Sequence, residues 1–376
     1  MEAAWDGPAE SDLSDNVTSE SIFLGGRRIA RMELRTGGHM IKRRDVLSWM
    51  GLAGVTALGT SKRISALTTH GTAGGWLKYP GNPVLGGEYG TCFDICVIQE
   101  QSKFRMWLSW RPKKSIALSE SSDGVHWSAP LIVLAPEPSS GWEDDINRPA
   151  VVKRADGYHM WYTGQNWSKE PSPEGRLDGH SAIGYATSSN GIDWVRQASK
   201  PALAAELPWE GVALMCPDVL WDGENGQWRM FYSGGAQYEP NAVGHATSKD
   251  GLHWFKDTEN PVFQPDPRYE WEKQRVAGIQ VIQQDGWFYA FYIGYRDIDH
   301  AQIGLARSRD GIHQWERCPS NPIIRATGSG FDADACYKPY AVFFGDKWML
   351  WYNGRNAHLE QIGLATRNGP SLGFER

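Results

Sequence analysis

Five short stretches of this 376-residue chain crowd acids, bases and aromatics just ahead of an apolar run. They are EYGTCFD (Glu88–Asp94), WEDDINR (Trp142–Arg148), WEGVALMC (Trp209–Cys216), WEKQRVAG (Trp271–Gly278) and FDADACYK (Phe331–Lys338). Converging carboxyl groups suit general acid–base work in one pocket. An acid among them must be kept protonated by burial or a neighbouring charge. Asp144 and Asp145 are adjacent like charges, so either carboxyl can be raised by the other, and Asp145 is the favoured acid. Glu210 is the second choice. However, Trp-Glu or Phe-Asp recurs in four stretches (Glu143, Glu210, Glu272, Asp332), and a residue repeated in every unit reads first as a hydrogen-bonding device between units. Asp334 departs from that repeat and is a further candidate, whereas Asp218 is read as orienting a neighbour.

Cations gather in the same segments and in the loops that face them: Arg148, Arg275, Arg296, Lys338 and Arg355. They either pair with the acids or hold an anionic ligand, since forked guanidinium groups match carboxylate and phosphate. Trp142, Trp167, Trp209 and Trp271 offer faces on which a sugar ring can stack. His180, at the end of the loop EPSPEGRLDGH, is placed to meet a leaving group or phosphate, or is simply solvated.

The elements that must position these residues are visible as a repeat. SESSDGVHW (Ser119–Trp127), ATSSNGIDW (Ala186–Trp194), ATSKDGLHW (Ala246–Trp254) and ARSRDGIHQW (Ala306–Trp315) place Asp-Gly or Asn-Gly about every 60 residues. Those dipeptides favour two-residue hairpin turns. Alternating aromatic strands recur beside them: RMWLSW, HMWYTG, RMFYSG, YAFYIG and MLWYNG, each preceded by an apolar strand (DICVI, RPAVV, CPDVL, GIQVI, KPYAV). The phrase HWFKDTENPVF and its partner QWERCPSNPII close two later units, and GWLKYPGNPVL (residues 75–85) stands alone at the front. The pattern therefore predicts an all-β fold, a five-bladed β-propeller with four-stranded antiparallel blades. Residues 75–85 complete the last blade, which removes exposed sheet edges. With the apolar strand of each blade innermost, the acid- and base-rich stretches fall on one mouth of the ring and the Asp-Gly turns on the other.

A net charge of -6 and the lack of a basic block in the body argue against a nucleic-acid partner. Residues 1–73 read as a leader and 74–376 as the folded domain. Within the leader, Arg43-Arg44 precede the apolar run WMGLAGVTALG, a segment (40–60) similar to a twin-arginine export signal and too short to span a bilayer. This predicts a periplasmic or extracellular protein with no membrane span in its mature form, and Met40 is an alternative start. The five cysteines are odd in number and scattered. Cys92, Cys96, Cys216 and Cys336 lie near innermost strands, without C-x-x-C spacing or an adjacent His, and read as core residues rather than a metal cluster. No cofactor or metal is expected; nothing in these residues calls for a Ca²⁺ in the channel, although such rings accommodate one. Oligomeric state is not legible.

The stretch NPVLGGEYGTCFDI resembles the start of family 43 glycoside hydrolases, and the ring as a whole (75–376) is similar to the superfamily that includes families 43, 32 and 62 and, more distantly, the phosphorylases of family 130. The resemblance implies that Asp94 is the general base or the nucleophile. In families 43 and 32 an acid Glu stands two residues before the Pro of an innermost strand; here that place holds Met215, ahead of Cys216-Pro217-Asp218, with Asn147, Ala277 and Tyr337 in other blades. The SxDGxxW turns resemble the Asp-boxes of sialidases, which are structural hairpins. The expectation is a glycosidase acting on an oligosaccharide or glycoside, its substrate held by residues including Arg148 and Lys338. Phosphorolysis and a non-catalytic sugar-binding ring are the alternatives.

Overall fold

A computed structural model of the chain describes residues 71–167, 179–236 and 240–374, together with the backbone of two strands, Thr18–Leu24 and Arg27–Leu34. The chain divides into two compact units, Met1–Ser65 and Ala66–Arg376. In the first, those two strands pair antiparallel, a feature for which the sequence offered no usable period. The twin-arginine-like segment at 40–60 lies outside the described residues.

The second unit is built from four-stranded antiparallel sets. Set 1 comprises Cys92–Glu100, Lys103–Trp110, Ser115–Ser121 and Leu131–Leu134. Set 2 comprises Asp145–Arg154, Gly157–Trp167, Gly179–Ser188 and Val195–Arg196. Set 3 comprises Ala213–Asp222, Gln227–Gly235, Pro240–Ser248 and Phe255–Lys256, and touches set 2 through the pair Ser181↔Ala213. Set 4 comprises Arg275–Gln284, Trp287–Asp297, His300–Ser308 and Glu316–Arg317. Set 5 comprises Ala335–Phe344, Lys347–Asn356 and Leu359–Asn368, and its fourth strand is Leu77–Lys78, paired with Ala365 and Thr366. Residues 75–85 thus supply the missing strand, as the phrase repeat predicted, and Thr72 just ahead of them is bridged to Ile324. Among the described residues no helix is long and apolar enough to cross a membrane.

The second strands are buried along almost their whole length, on both faces, because each set is covered by the set before it and the set after it. That is why HMWYTG and its relatives alternate size rather than polarity. Tryptophans on these strands lock consecutive sets: Trp107 donates its indole N–H to Gly191 O (3.0 Å), Trp161 to Gly251 O (2.8 Å) and Trp351 to Gly124 O (2.8 Å). The receiving glycines must be glycine twice over. Each has a φ of +74 to +79°, and a Cβ at Gly251 would sit 2.9 Å from the Trp161 ring. The turns are longer than the two-residue hairpins expected. In set 2 the link runs over residues 189–194 and is closed by a side chain, Asn190 Oδ1 accepting from the N–H of Ile192 and of Asp193 (both 2.9 Å).

The recurring Trp-Glu or Phe-Asp acid ties strands within one set, not one unit to the next as expected. Glu210 accepts from Tyr232 Oη (2.8 Å) and Lys256 Nζ (2.7 Å), Glu143 from Tyr162 (2.7 Å) and Arg196 (2.6 Å), and Asp332 from Tyr352 (2.9 Å) and Lys78 (2.6 Å). In each case an acid in the leading loop reaches the second strand's Tyr and a cation on the outer strand.

Candidate functional site

All five first strands are bulged at the same place, shown by register breaks at Phe93/Cys96, Asn147/Ala150, Met215/Asp218, Ala277/Gln280 and Tyr337/Tyr340. The bulged residue has a left-handed backbone in every set: Asp94 (φ 46°), Arg148 (55°), Cys216 (52°), Gly278 (52°) and Lys338 (47°). Only one of the five is glycine, so the other four hold a conformation that costs of order 1 kcal/mol or more each. In every set but the fifth, where the matching residue is Ile293, a polar residue on the second strand of the preceding set holds the bulged N–H. Ser109 Oγ accepts from Arg148 N (2.8 Å), Thr163 Oγ1 from Cys216 N (3.2 Å), Ser233 Oγ from Gly278 N (2.9 Å) and Asn353 Oδ1 from Asp94 N (3.1 Å). The bulges turn four chemically distinct side chains toward one another: Asp94, Arg148, Cys216 and Lys338 act on each other electrostatically.

Above them lies a cavity of about 180 Å³ lined by Asp94, Arg148, Trp167 and Arg355 among the expected residues, and also by Arg111, Tyr337 and Glu360. Asp94 is 4% exposed. Its Oδ2 is 3.0 Å from Arg148 Nε, and its Oδ1 accepts from Asn353 Nδ2 at 2.9 Å. The salt bridge does not seal it off, because both partners face the cavity. Burial pushes the Asp94 carboxyl above its ordinary range, against the pull of Arg148 and Lys338 and with help from Glu360. Burial works against the Arg148 charge, yet the charge of Asp94 keeps the guanidinium firmly protonated. Two opposing pulls on one carboxyl leave it able to gain or lose a proton as its neighbours change.

Glu360 was not singled out from the sequence. Its Oε2 accepts from Arg111 Nη2 (3.0 Å), its Oε1 from the Tyr337 hydroxyl, and its N–H donates to Thr91 Oγ1 (3.3 Å). Arg111 in turn covers the Phe93 ring at 4.2 Å. Burial, then the charge of Glu360, raises the Tyr337 phenol well above its ordinary value. The available signal was comparison of third strands: HAQIGLA in set 4 and LEQIGLA in set 5 differ mainly at Ala301 and Glu360. Asn353 stands likewise where sets 1, 2 and 3 have Ser109, Thr163 and Ser233 and set 4 has Ile293.

The remaining expected residues scatter. Lys338 is 3% exposed and lies beneath the cavity, near Asp94 and Asp218. Asp145 is buried behind the wall, opposite Gln165; burial raises its carboxyl, opposed by Arg111 and Arg148. Asp218 is buried and accepts from Val281 N at 2.8 Å; burial pushes it up to about 6, against that hydrogen bond and Lys338. Glu210 does not line the cavity. Despite its burial, the N–H groups of Glu206 and Leu207 and the Lys256 ammonium hold its carboxyl below the usual range, the wrong direction for a proton donor. Asp144 accepts from Trp167 N (3.2 Å), Asp334 is exposed and accepts from Ala357 N (2.6 Å), and Arg296 pairs with Asp297 at the surface (2.9 Å). His180 is exposed, and Arg275 is half-buried opposite Tyr295, away from the cavity lining. All five cysteines are free and buried. Among the described residues no group of three His, Cys, Asp or Glu is placed to hold a metal ion.

No family model matches the chain. It is 25% identical over 246 residues to the uncharacterised protein Rv1502 of Mycobacterium tuberculosis (strain ATCC 25618 / H37Rv), covering 62% of this chain and 75% of that one. It is 25% identical over 223 residues to acid beta-fructofuranosidase of Vigna radiata var. radiata, covering 52% of this chain and 31% of that one. Against 1,2-beta-oligomannan phosphorylase of Thermoanaerobacter sp. (strain X514), identity is 30% over 134 residues, covering 32% and 43%. Among solved structures, a glycoside hydrolase superposes with a TM-score of 0.60 at 18% identity, covering 77% of this chain and 92% of that chain. A thermostable family-43 glycoside hydrolase gives 0.58 at 17% identity, covering 75% and 91%. Beta-1,2-mannobiose phosphorylase from Listeria innocua gives 0.58 at 14% identity, covering 78% and 96%. At these identities the likeness is one of fold, and the fold the chain shares is that of the propeller-type glycoside hydrolases and phosphorylases.

Proposed function

We propose that the chain is a five-bladed β-propeller enzyme that cleaves a glycosidic bond in the cavity at the mouth of the ring, with Asp94 as its proton-transferring carboxyl. Closure of the ring is supported by the order of contacts, in which each first strand lies beside the next and the fifth lies beside the first. A shared apolar core between sets 5 and 1, containing Val97, Met106, Trp351 and Leu364, supports it too.

The observation that carries the chemistry is Asp94 itself: a buried carboxyl on a strained bulge, facing a cavity, its proton affinity set by opposed neighbours. Strained backbone and perturbed carboxyls cluster at functional sites, and of the five bulged residues Asp94 alone carries a carboxyl. The volume, about 180 Å³, is below the range of roughly 300–1,000 Å³ common for larger ligands, which favours action on one terminal sugar residue. Glu210 is then a strap residue and Asp145 a buried neighbour of Arg111. The test is a screen of aryl glycosides and oligosaccharides with and without inorganic phosphate, followed by anomer-resolved NMR of the product. Binding of sugars without turnover under either condition rejects the enzymatic reading.

Phosphorolysis is the second reading, and the charge of the cavity favours it. Three guanidinium groups (Arg111, Arg148, Arg355) face two carboxyl groups (Asp94, Glu360), and Arg355 Nε is buried with no acceptor. An anion, either phosphate or an acidic group on the sugar, would satisfy that excess. Turnover that depends on added phosphate selects this branch.

A further inference from the structure

We propose that Tyr337 is the nucleophile of this cavity, with Glu360 as its base and Asp94 as the acid. The proposal rests on the glycoside-cleaving reading above. Tyr337 precedes the bulged Lys338, so its ring stands at the mouth rather than in the channel beneath. Its hydroxyl already donates to Glu360 Oε1, while Arg111 holds the other carboxylate oxygen and Thr91 Oγ1 accepts from the Glu360 backbone N–H. A phenol beside an anchored carboxylate is the arrangement that activates a weak nucleophile: the base receives the proton as the oxygen attacks.

The two residues also depart from the repeat together. The place of Tyr337 is held by Phe93, Asn147, Met215 and Ala277 in the other sets, none with a hydroxyl. Glu360, opposite Arg355, stands where Ser181 is opposite Gln165 and Ala301 is opposite Tyr295. A buried Tyr satisfied by an acid recurs elsewhere in this chain, as Tyr162–Glu143 and Tyr232–Glu210 within the straps and Tyr158–Glu100 between sets 2 and 1, none of them in the cavity lining. Only Tyr337–Glu360, among the described residues, brings such a pair to the cavity that holds Asp94.

In the first step the Tyr337 oxygen forms a bond to the anomeric carbon and the glycosidic C–O bond breaks. The phenol proton passes to Glu360, and protonated Asp94 gives its proton to the leaving oxygen. In the second step water attacks the same carbon and gives a proton to Asp94, while the Tyr337–carbon bond breaks and the phenolate recovers its proton from Glu360. Two displacements return the sugar with its original configuration.

The test uses the full chain with a panel of 2-deoxy-2-fluoroglycosyl fluorides (hexosyl, pentosyl and uronosyl, both anomers), peptide mapping by mass spectrometry, and turnover of the matching aryl glycosides. The expected result is a covalent label on Tyr337 and a product of retained configuration. Tyr337→Phe, melting as the wild type does, takes no label and loses roughly 10³-fold or more in turnover. Glu360→Gln slows labelling roughly 10²- to 10⁴-fold and removes the acid limb of its pH profile. A label on Asp94 or Glu360, an inverted product, or Tyr337→Phe within tenfold of wild type overturns the pair while leaving a glycosidase. Aryl glycosides and oligosaccharides left intact by the wild type, with or without phosphate, overturn both proposals.

Discussion

The two ends of the propeller-like unit are built from the same repeat and differ in how faithfully they keep it. At the turn end, four links carry the same device: Asp123, Asn190, Asp250 and Asp310 each accept from backbone N–H groups two and three residues on, next to a left-handed glycine. At the mouth end, one backbone shape carries five different residues, Asp94, Arg148, Cys216, Gly278 and Lys338. Fidelity marks what holds the chain together, because every set faces the same packing problem. Divergence at a strained, shared position marks where the repeat leaves side chains free to differ.

Four substitutions can break or sharpen that contrast. The largest effect is expected at the divergent end. Asp94→Asn should lower turnover of any aryl glycoside the wild type accepts by roughly 10³-fold or more, in steady-state assays. Wild-type rates in that variant would remove Asp94 from the chemistry.

Next comes the strap. Glu210→Ala leaves Lys256 and Tyr232 without their buried partner and should cost about 3–5 kcal/mol in urea unfolding. Below its melting temperature the variant should keep wild-type turnover. Abolished turnover with an unchanged denaturation midpoint would instead mark Glu210 as a catalytic acid.

Asp218 gives a pH signature. Its folded carboxyl titrates at about 6 and an unfolded one near 3.8, so the native state binds the proton more tightly. That contribution is fully present below about pH 4 and is lost as pH rises through 6, a swing on the order of 3 kcal/mol. Asp218→Asn can still accept from Val281 N. It should match wild type in urea midpoint at pH 4 and exceed it at pH 8; parallel pH curves for the two proteins would refute the assignment.

The smallest effect is expected at the faithful end. Asp250→Ala removes the acceptor for Leu252 N and His253 N in a solvent-facing turn and should cost about 1–2 kcal/mol with turnover unchanged. A change in kcat there would mean that the two ends are coupled.

Much of this was legible because repetition amplifies weak local signals. The pairing of Leu77–Lys78 with the last set followed from one phrase with no strand before it. The strap acids were read first as hydrogen-bonding devices, with Glu210 kept as a second-choice acid, and their partners proved to lie within a set, since the outer-strand cations Arg196, Lys256 and Arg317 carry no visible link to them in sequence. The cavity was less legible for the same reason that it is a cavity. Glu360 lies on a third strand, and only the fold brings its first residues over Arg111 and Tyr337. Asp145 drew attention through its neighbour Asp144, yet strand alternation sends the two side chains to opposite faces, Asp144 toward Trp167 and Asp145 toward Asn147.

Asn353, near the carboxyl terminus, grips the backbone and the carboxyl of Asp94, which is synthesised some 259 positions earlier. Lys78 reaches Asp332 across a comparable distance. The Asp94 carboxyl therefore sits where the first set of strands meets the fifth. A chain truncated before Asn353 would lose that grip on Asp94 together with the cavity-lining Arg355 and Glu360, so the surroundings of this carboxyl are completed only by the last set of strands.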